Sequence, residues 1–355
     1  MGKCIRCVAV GVAVLPLMLS IVAAGREAGS GKPMTAWEEL PGFKRVSEWR
    51  VVPGYHHIRI GYDSPSNQRV IHTNIYVPDE YVTSSDARFP VLYVLQIWEG
   101  FLGPGRRFLQ EHPMILVTWS SSHPAPDRKG GRDSGWWIDS IRRPKCQLET
   151  FFEKELHPFM AEHFRIQDKA GITGFSSGAY AAHLYMLKNP DLFACVSGFD
   201  ARYFAAGYGG TMHTHISRWY GSYKEHKKLH DAHSLPLLLK AHMEKQNKLP
   251  PMFSAVGTRD YLLSDNRRWV KLLSHHNLLI IRDLFRQKND LGLEEVAKKG
   301  IFSLRGFMRS DFFKKEYPKR CIDYQYLETD GIHSVAAEAV LPVLRFHWKH
   351  FEKHL

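Results

Sequence analysis

Nucleic-acid signatures, a disulfide framework and the H-E-x-x-H zinc pattern are all missing from this 355-residue sequence, although an H-T-H and an i, i+4 histidine pair have spacing reminiscent of metal ligands. There are five cysteines, and Cys4 and Cys7 precede the first apolar run, which leaves Cys146, Cys195 and Cys321 for the folded chain. Three thiols permit at most one internal bridge, so the fold must rest on its core. Cys146 and Cys321 are the expected partners, and Cys195, inside "LFACVSG", reads as a small buried hydrophobe. Without an H-E-x-x-H pattern or a nearby cysteine, His213, His215, His226, His230 and His233 read as a polar surface loop, and no metal site is expected. Zinc-finger, RNP-like and basic-heptad patterns are also absent, so the formal charge of +12 is expected to be a solvated basic surface and no nucleic acid is expected as a partner. No nucleotide-binding motif points to a cofactor, and no repeat of roughly 20–50 residues points to a solenoid.

What the chain does have is core material: 44% of its residues are hydrophobic and 12% aromatic. The opening "MGKCIRCVAVGVAVLPLMLSIVAAG" combines a basic start, an apolar run ending at Val22, and small residues Ala23 and Ala24. That is the plan of a signal peptide over residues 1–24, and the run is shorter than the ~20 residues a spanning helix needs. Export to a secreted or periplasmic location, without stable membrane insertion after cleavage, is therefore expected. Residues 25–45 read as a Gly/Ser/Pro-punctuated linker, and residues 46–355 as one folded domain.

"HHIRIGY" and the alternating "RVIHTNIYVP" predict a leading strand pair. "FPVLYVLQ", "MILVTWS", "LFACVSGF" and "PMFSAVG" are continuous apolar runs, as expected of strands covered on both faces. A helical pattern over residues 148–164 carries Pro158 as a kink, and "CIDYQYLET" and "VLRFHWKHF" predict a last strand and a closing helix. Strands alternating with helices imply an α/β fold with a mostly parallel central sheet and helices on both faces.

Between "KAGIT" and "YAAHLYMLKNP" lies Gly174-Phe175-Ser176-Ser177-Gly178, a G-x-S-x-G in a strand, sharp turn, helix setting. A serine hydroxyl needs a histidine to take its proton and a carboxylate to orient that histidine. In the chain order serine, acid, histidine, the candidates are Ser176, Asp260 and His333, each in a loop after a strand's carboxyl end. Asp265 and Asp330 are the competing acids.

The stretch from "TFFEKELHPFM" to "DLFACVSGF", with "VGTRDYLLSDNRRW" and "LETDGIHSVAAEAVLPVLRFHWKHF", resembles the putative-esterase branch of the α/β-hydrolases over roughly residues 50–355. That branch includes feruloyl and acetylxylan esterases, siderophore esterases, S-formylglutathione hydrolases and mycolyltransferases. The resemblance implies an α/β-hydrolase fold, a serine carboxylesterase and an oxyanion hole from the backbone N–H groups of Trp98 and Ser177. Gln96 and Ile97 stand where the family often has His and Gly. The expected substrate is a small ester or an acylated carbohydrate carrying a feruloyl or acetyl group. Acyl transfer to a sugar, and a non-catalytic binding protein, are the alternatives. Two segments are long enough to matter: residues 201–233, expected to cover the active site, and residues 278–320, a basic insertion expected away from it. Trp136, Trp137, Arg202, Tyr203, Trp219 and Tyr220 are the expected substrate-binding residues.

Overall fold

Alternation within the apolar runs decides how the sheet is covered. In β4 (Val91–Leu95), Val91, Tyr93 and Leu95 point into one buried cluster, while Leu92 and Val94 point into another. In β5 (Ile115–Trp119) the division is the same, with Ile115, Val117 and Trp119 opposite Leu116. Successive strand side chains face opposite sides, so an unbroken apolar run requires cover on both. A fully buried Val, Leu or Ile contributes about 1.5–3 kcal/mol relative to exposure, which gives these short strands their place at the centre.

The computed structural model describes residues 44–45, 53–96, 98–124, 132–134, 136–205, 213–289 and 301–354. The expected signal peptide and Ile97 lie outside them, as does the expected linker apart from its last two residues. The described strands form a nine-stranded sheet in the order β1-β2-β3-β5-β4-β8-β9-β10-β11. Its remaining members are β1 (Lys44–Arg45), β2 (Tyr55–Ser64), β3 (Arg69–Pro78), β8 (Ala170–Gly174), β9 (Phe193–Phe199), β10 (Met252–Gly257) and β11 (Tyr324–Thr329). A short pair, β6 (Ser122–Pro124) and β7 (Arg132–Ser134), stands apart. The first three strands and β5 pair antiparallel, and from β5 to β11 every pairing is parallel. The predicted hairpin is present as β2–β3, in register from Tyr55 opposite Pro78 to Ser64 opposite Arg69.

One face carries α5 (Ser177–Lys188), and the other carries α2 (Trp98–Glu111) against the last long helix. Short helices α1 (Asp79–Thr83), α3 (Leu148–Thr150) and α4 (His157–His163) come between them. The kink expected at Pro158 takes the form of a π-helical stretch, Phe151–Leu156, that joins α3 to α4. Proline lacks an N–H and crowds the preceding turn, so the helix widens just ahead of it. Later come α6 (His213–Tyr220), α7 (Lys227–Ala232), α8 (Leu235–Glu244), α9 (Leu263–Asn289), α10 (Ile301–Met308), α11 (Asp311–Arg320) and α12 (Ala337–Phe351). At 1.5 Å per residue α9 carries Ile281 roughly 27 Å along its axis from Leu263. There Ile280, Leu284 and Phe285 pack with Phe307 in a small satellite cluster. No described helix is long and apolar enough to cross a membrane.

No disulfide joins any two of the described cysteines Cys146, Cys195 and Cys321, which corrects the expected Cys146–Cys321 bridge. Cys146 is enclosed in the core, whereas Cys321 is half-buried at the end of α11. Cys195 is fully buried, its Sγ 3.1 Å from His347 Nδ1, and burial pushes its thiol well above the ordinary value. Without denaturant, a polar maleimide should label Cys321 and spare Cys146 and Cys195, and denaturant should expose both. Mass spectrometry showing rapid native labelling of Cys195 would contradict its placement.

Candidate active site

Ser176 stands between β8 and α5 with φ 54° and ψ −114°, a conformation that a non-glycine residue holds only when its surroundings enforce it. The neighbours on both sides do so. Phe175 N–H donates to Leu95 O (3.1 Å) beyond β4, and Ser176 N–H donates to Phe199 O (2.9 Å) at the end of β9. The two glycines answer to close approach: a Cβ on Gly174 would lie 2.2 Å from Gly178 C, and one on Gly178 would lie 2.6 Å from Leu95 O. G-x-S-x-G is thus what this turn permits, and the turn lifts Ser176 Oγ above the sheet edge.

There it meets His333. Ser176 Oγ lies 3.1 Å from His333 Nε2, and His333 Nδ1 lies 2.8 Å from Asp260 Oδ2. The Asp260 side chain is wholly enclosed, and its Oδ1 accepts from Leu262 N–H at 2.6 Å. A carboxylate oxygen only accepts, which places the imidazole proton on Nδ1 and leaves Nε2 to accept from the Ser176 hydroxyl. Phe175 and Tyr261 flank the imidazole, each with its ring centroid 4.7 Å away. The Tyr261 hydroxyl is 3.4 Å from Nε2. The two competing acids are engaged elsewhere: Asp330 pairs with Arg259 on the surface, and Asp265 accepts from Phe204 N–H.

Ser177 opens α5 and Trp98 opens α2, so each backbone N–H sits in a first turn where no intrahelical acceptor exists. Gln96, in the left-handed region at φ 66°, accepts from the Ser177 hydroxyl through Oε1 at 2.8 Å. That bond ties the chain leaving β4 to the serine turn.

A second serine–histidine contact, Ser197 Oγ to His347 Nε2 at 2.8 Å, has different surroundings. Both residues are fully buried, Ser197 donates to Thr173 Oγ1, and burial drives the His347 ring down to about 3. Sealed between β8, β9 and α12, this network holds the core and offers no entry for a substrate.

The expected substrate-binding set is largely corrected. Trp137, Tyr203, Trp219 and Tyr220 are enclosed in the core. Tyr203 stacks on Trp269 and shares a 2.6 Å hydrogen bond with Ser254 Oγ, and Tyr220 packs on His233. Trp136 is half-buried, edge-on to Tyr180. Arg202 reaches the site at one remove, with its guanidinium 5.6 Å from the Tyr261 ring. His230 and His233 are buried and not part of a surface loop. His233 Nε2 lies 3.0 Å from Glu149 and 2.9 Å from Lys188, an internal ion cluster. Sequence reasoning missed Tyr261 and Asp200, and it gave no sign of the bond from Ser177 to Gln96. Asp200 directly follows β9, the same kind of position that singled out Asp260.

Asp200, Asp260 and His333 bring their polar atoms within 4.8 Å of one another, a spacing that could admit a cation. His333 Nδ1 is however directed at Asp260, and Asp200 accepts from two backbone N–H groups. The contacts form a hydrogen-bonded line from Ser176 through His333 to Asp260.

A serine held on a sharp turn at the edge of a mostly parallel sheet, with a histidine in reach, defines the α/β-hydrolase fold. Residues 64–269 match the Putative esterase family, and the chain belongs to that family: it is a serine esterase, a carboxylic ester hydrolase. Solved structures share the architecture at low identity. A ferulic acid esterase is 15% identical with a TM-score of 0.57, covering 84% of this chain and 98% of its own. An S-formylglutathione hydrolase from Agrobacterium tumefaciens is 17% identical with a TM-score of 0.55, covering 88% and 97%. The fluorophosphonate-binding serine hydrolase F of Staphylococcus aureus is 15% identical with a TM-score of 0.53, covering 83% and 98%.

Burial separates the aromatic residues into two kinds with opposite expected phenotypes. Tyr203→Ala and Trp219→Ala should each cost about 3–5 kcal/mol and lower the melting temperature. Tyr261→Ala, at a side chain that is 66% exposed, should leave the melting temperature unchanged and shift the ratio of kcat/KM between aryl and acetyl esters. Thermal unfolding and steady-state kinetics on the three variants check the division.

Proposed function

We propose that the chain is an exported serine carboxylesterase that releases an acyl group, feruloyl or acetyl, from a carbohydrate. The observation that carries the reading is the hydrogen-bonded line from Ser176 through His333 to Asp260. Ser176 Oγ attacks the ester carbonyl while His333 Nε2 takes the hydroxyl proton, and Asp260 holds the ring and balances the imidazolium. Negative charge on the carbonyl oxygen is met by the backbone N–H groups of Ser177 and Trp98, at two helix N-termini whose dipoles favour an anion. The alcohol leaves with the proton from His333, and water activated by the same imidazole then cleaves the acyl-enzyme. Support for a ring-bearing or sugar-bearing ester comes from the exposed Tyr261 ring beside His333 and from the exposed Ile332 that precedes it in the chain. Support for export comes from the basic, apolar and small-residue succession of residues 1–24.

Ser176→Ala should abolish turnover of 4-nitrophenyl acetate and methyl ferulate and also labelling by a fluorophosphonate. Asp260→Asn should lower kcat by about 10⁴-fold, since the imidazole loses its tautomer and orientation. Wild-type turnover in Ser176→Ala would overturn the mechanism. Acylated sugar formed in place of free acid would reassign the enzyme to acyl transfer.

A further inference from the structure

Asp200 is 1% exposed and sits at φ 47° directly after β9, where its own N–H donates to Ala255 O at 2.8 Å. Its carboxyl is placed between two loops. Oδ1 accepts from Gly257 N–H at 2.9 Å, and Oδ2 accepts from Ser334 N–H at 3.0 Å. Gly257 ends β10 and leads into Asp260, whereas Ser334 is the residue after His333. One side chain therefore fixes the backbone on both sides of the Asp260–His333 hydrogen bond.

We infer that Asp200 is a positioning residue for this site: it ties the acid loop to the histidine loop and, as a neutral acid, donates a hydrogen bond to Asp260. The inference rests on the proposed roles of Ser176, His333 and Asp260. It follows from the crowding of two carboxyls beside one imidazole, with polar atoms within 4.8 Å of one another. Two enclosed carboxyls at such range are most stable with one proton between them. Of the two carboxyls only Asp260 accepts from the His333 ring, and the charge that the imidazole gains on taking the serine proton favours an ionised Asp260, so the shared proton belongs on Asp200. Burial raises the Asp200 carboxyl to about 8, with Asp260 adding to the rise and the N–H groups of Gly257 and Ser334 opposing it. The other titratable groups facing it are His333 and the buried Tyr203 hydroxyl, with Asp265 and Arg202 further out. Below that pH the pair carries a single charge and the hydrogen bond to Asp260 stands. Above it the donor is lost, and two adjacent carboxylates repel across the link that aligns His333.

The test is the pH profile of kcat/KM for 4-nitrophenyl acetate in the full chain, as wild type, Asp200→Asn and Asp200→Ala. The wild type should lose activity on an alkaline limb near the pH at which Asp200 ionises, and Asp200→Asn, which cannot ionise, should lack that limb. Asp200→Ala frees both backbone N–H groups, so kcat should fall by at least about tenfold with KM within about threefold, and Asn should recover part of the loss. Wild-type kcat and an unchanged profile in both variants, or an intact alkaline limb in Asp200→Asn, would overturn the inference. Should the variants not fold, the wild-type chain suffices: the His333 ring-proton NMR signals should move in the same alkaline region as the neighbouring Asp200 ionises, and signals that stay fixed there refute the idea. Loss of turnover in Ser176→Ala alongside unchanged Asp200 profiles removes this inference alone, whereas turnover persisting in Ser176→Ala removes the serine mechanism beneath it.

Discussion

The backbone turn at Ser176 is the constraint on which the rest of the site depends. A non-glycine residue in a sparsely populated region costs on the order of 1–3 kcal/mol, and it persists only where the surroundings over-determine it. Here the strands on either side of β8 supply that determination through Leu95 O and Phe199 O, both of which accept from the turn. Close approach between Gly178 and Leu95 leaves no room for the turn to relax. The reactive serine cannot shift without displacing β4, β8 and β9 together, and these are among the most deeply buried strands of the sheet.

Parallel pairing then brings the partners to the same place. Gln96, Ser176, Asp200, Asp260 and His333 each follow the carboxyl end of a different strand, and in a parallel sheet those ends share one edge. The register extends past the strands: Thr258 N–H donates to Thr329 O, and Arg259 N–H donates to Gly331 O. The acid and histidine loops are therefore laid side by side by backbone bonds before any side chain contributes. Their alignment with Ser176 is a property of the sheet, refined by the carboxyl of Asp200.

Most of the architecture was legible because burial on two faces leaves a plain mark on strand sequences, and β3 was readable from its alternation to the residue. What was not legible depended on tertiary contact. The helix α2 contains Gly103, Pro104 and Gly105, which read locally as a break. Yet a Cβ on Gly105 would lie 2.6 Å from the Leu344 side chain, so the glycine serves close helix packing and outweighs its poor propensity. Aromatic residues near the expected cover were misassigned for a related reason. Composition cannot distinguish a ring that lines a cleft from one that fills a core, and Tyr203, Trp219 and Tyr220 fill the core. Asp200 also lies between Ser176 and His333 in chain order, but nothing local in the sequence shows that its carboxyl bridges the acid and histidine loops.

The same contacts limit where the site can adapt to a substrate. On one side of residues 206–212, Tyr203 is fixed to Ser254 and stacked on Trp269. On the other, Trp219 O accepts from the Ser140 hydroxyl and from Arg142 N–H, and His233 O accepts from the Tyr180 hydroxyl. His233 itself is held by Glu149, which also pairs with Lys188. Breaking one partner of such an enclosed ion cluster leaves uncompensated charge, typically a cost of about 3–5 kcal/mol, so the flanks are anchored through the core. With the serine turn held by the sheet and these flanks held by buried polar contacts, the freedom left among the described residues near His333 lies in exposed side chains. Tyr261 and Ile332 are exposed, and the Arg202 guanidinium lies 5.6 Å from the Tyr261 ring.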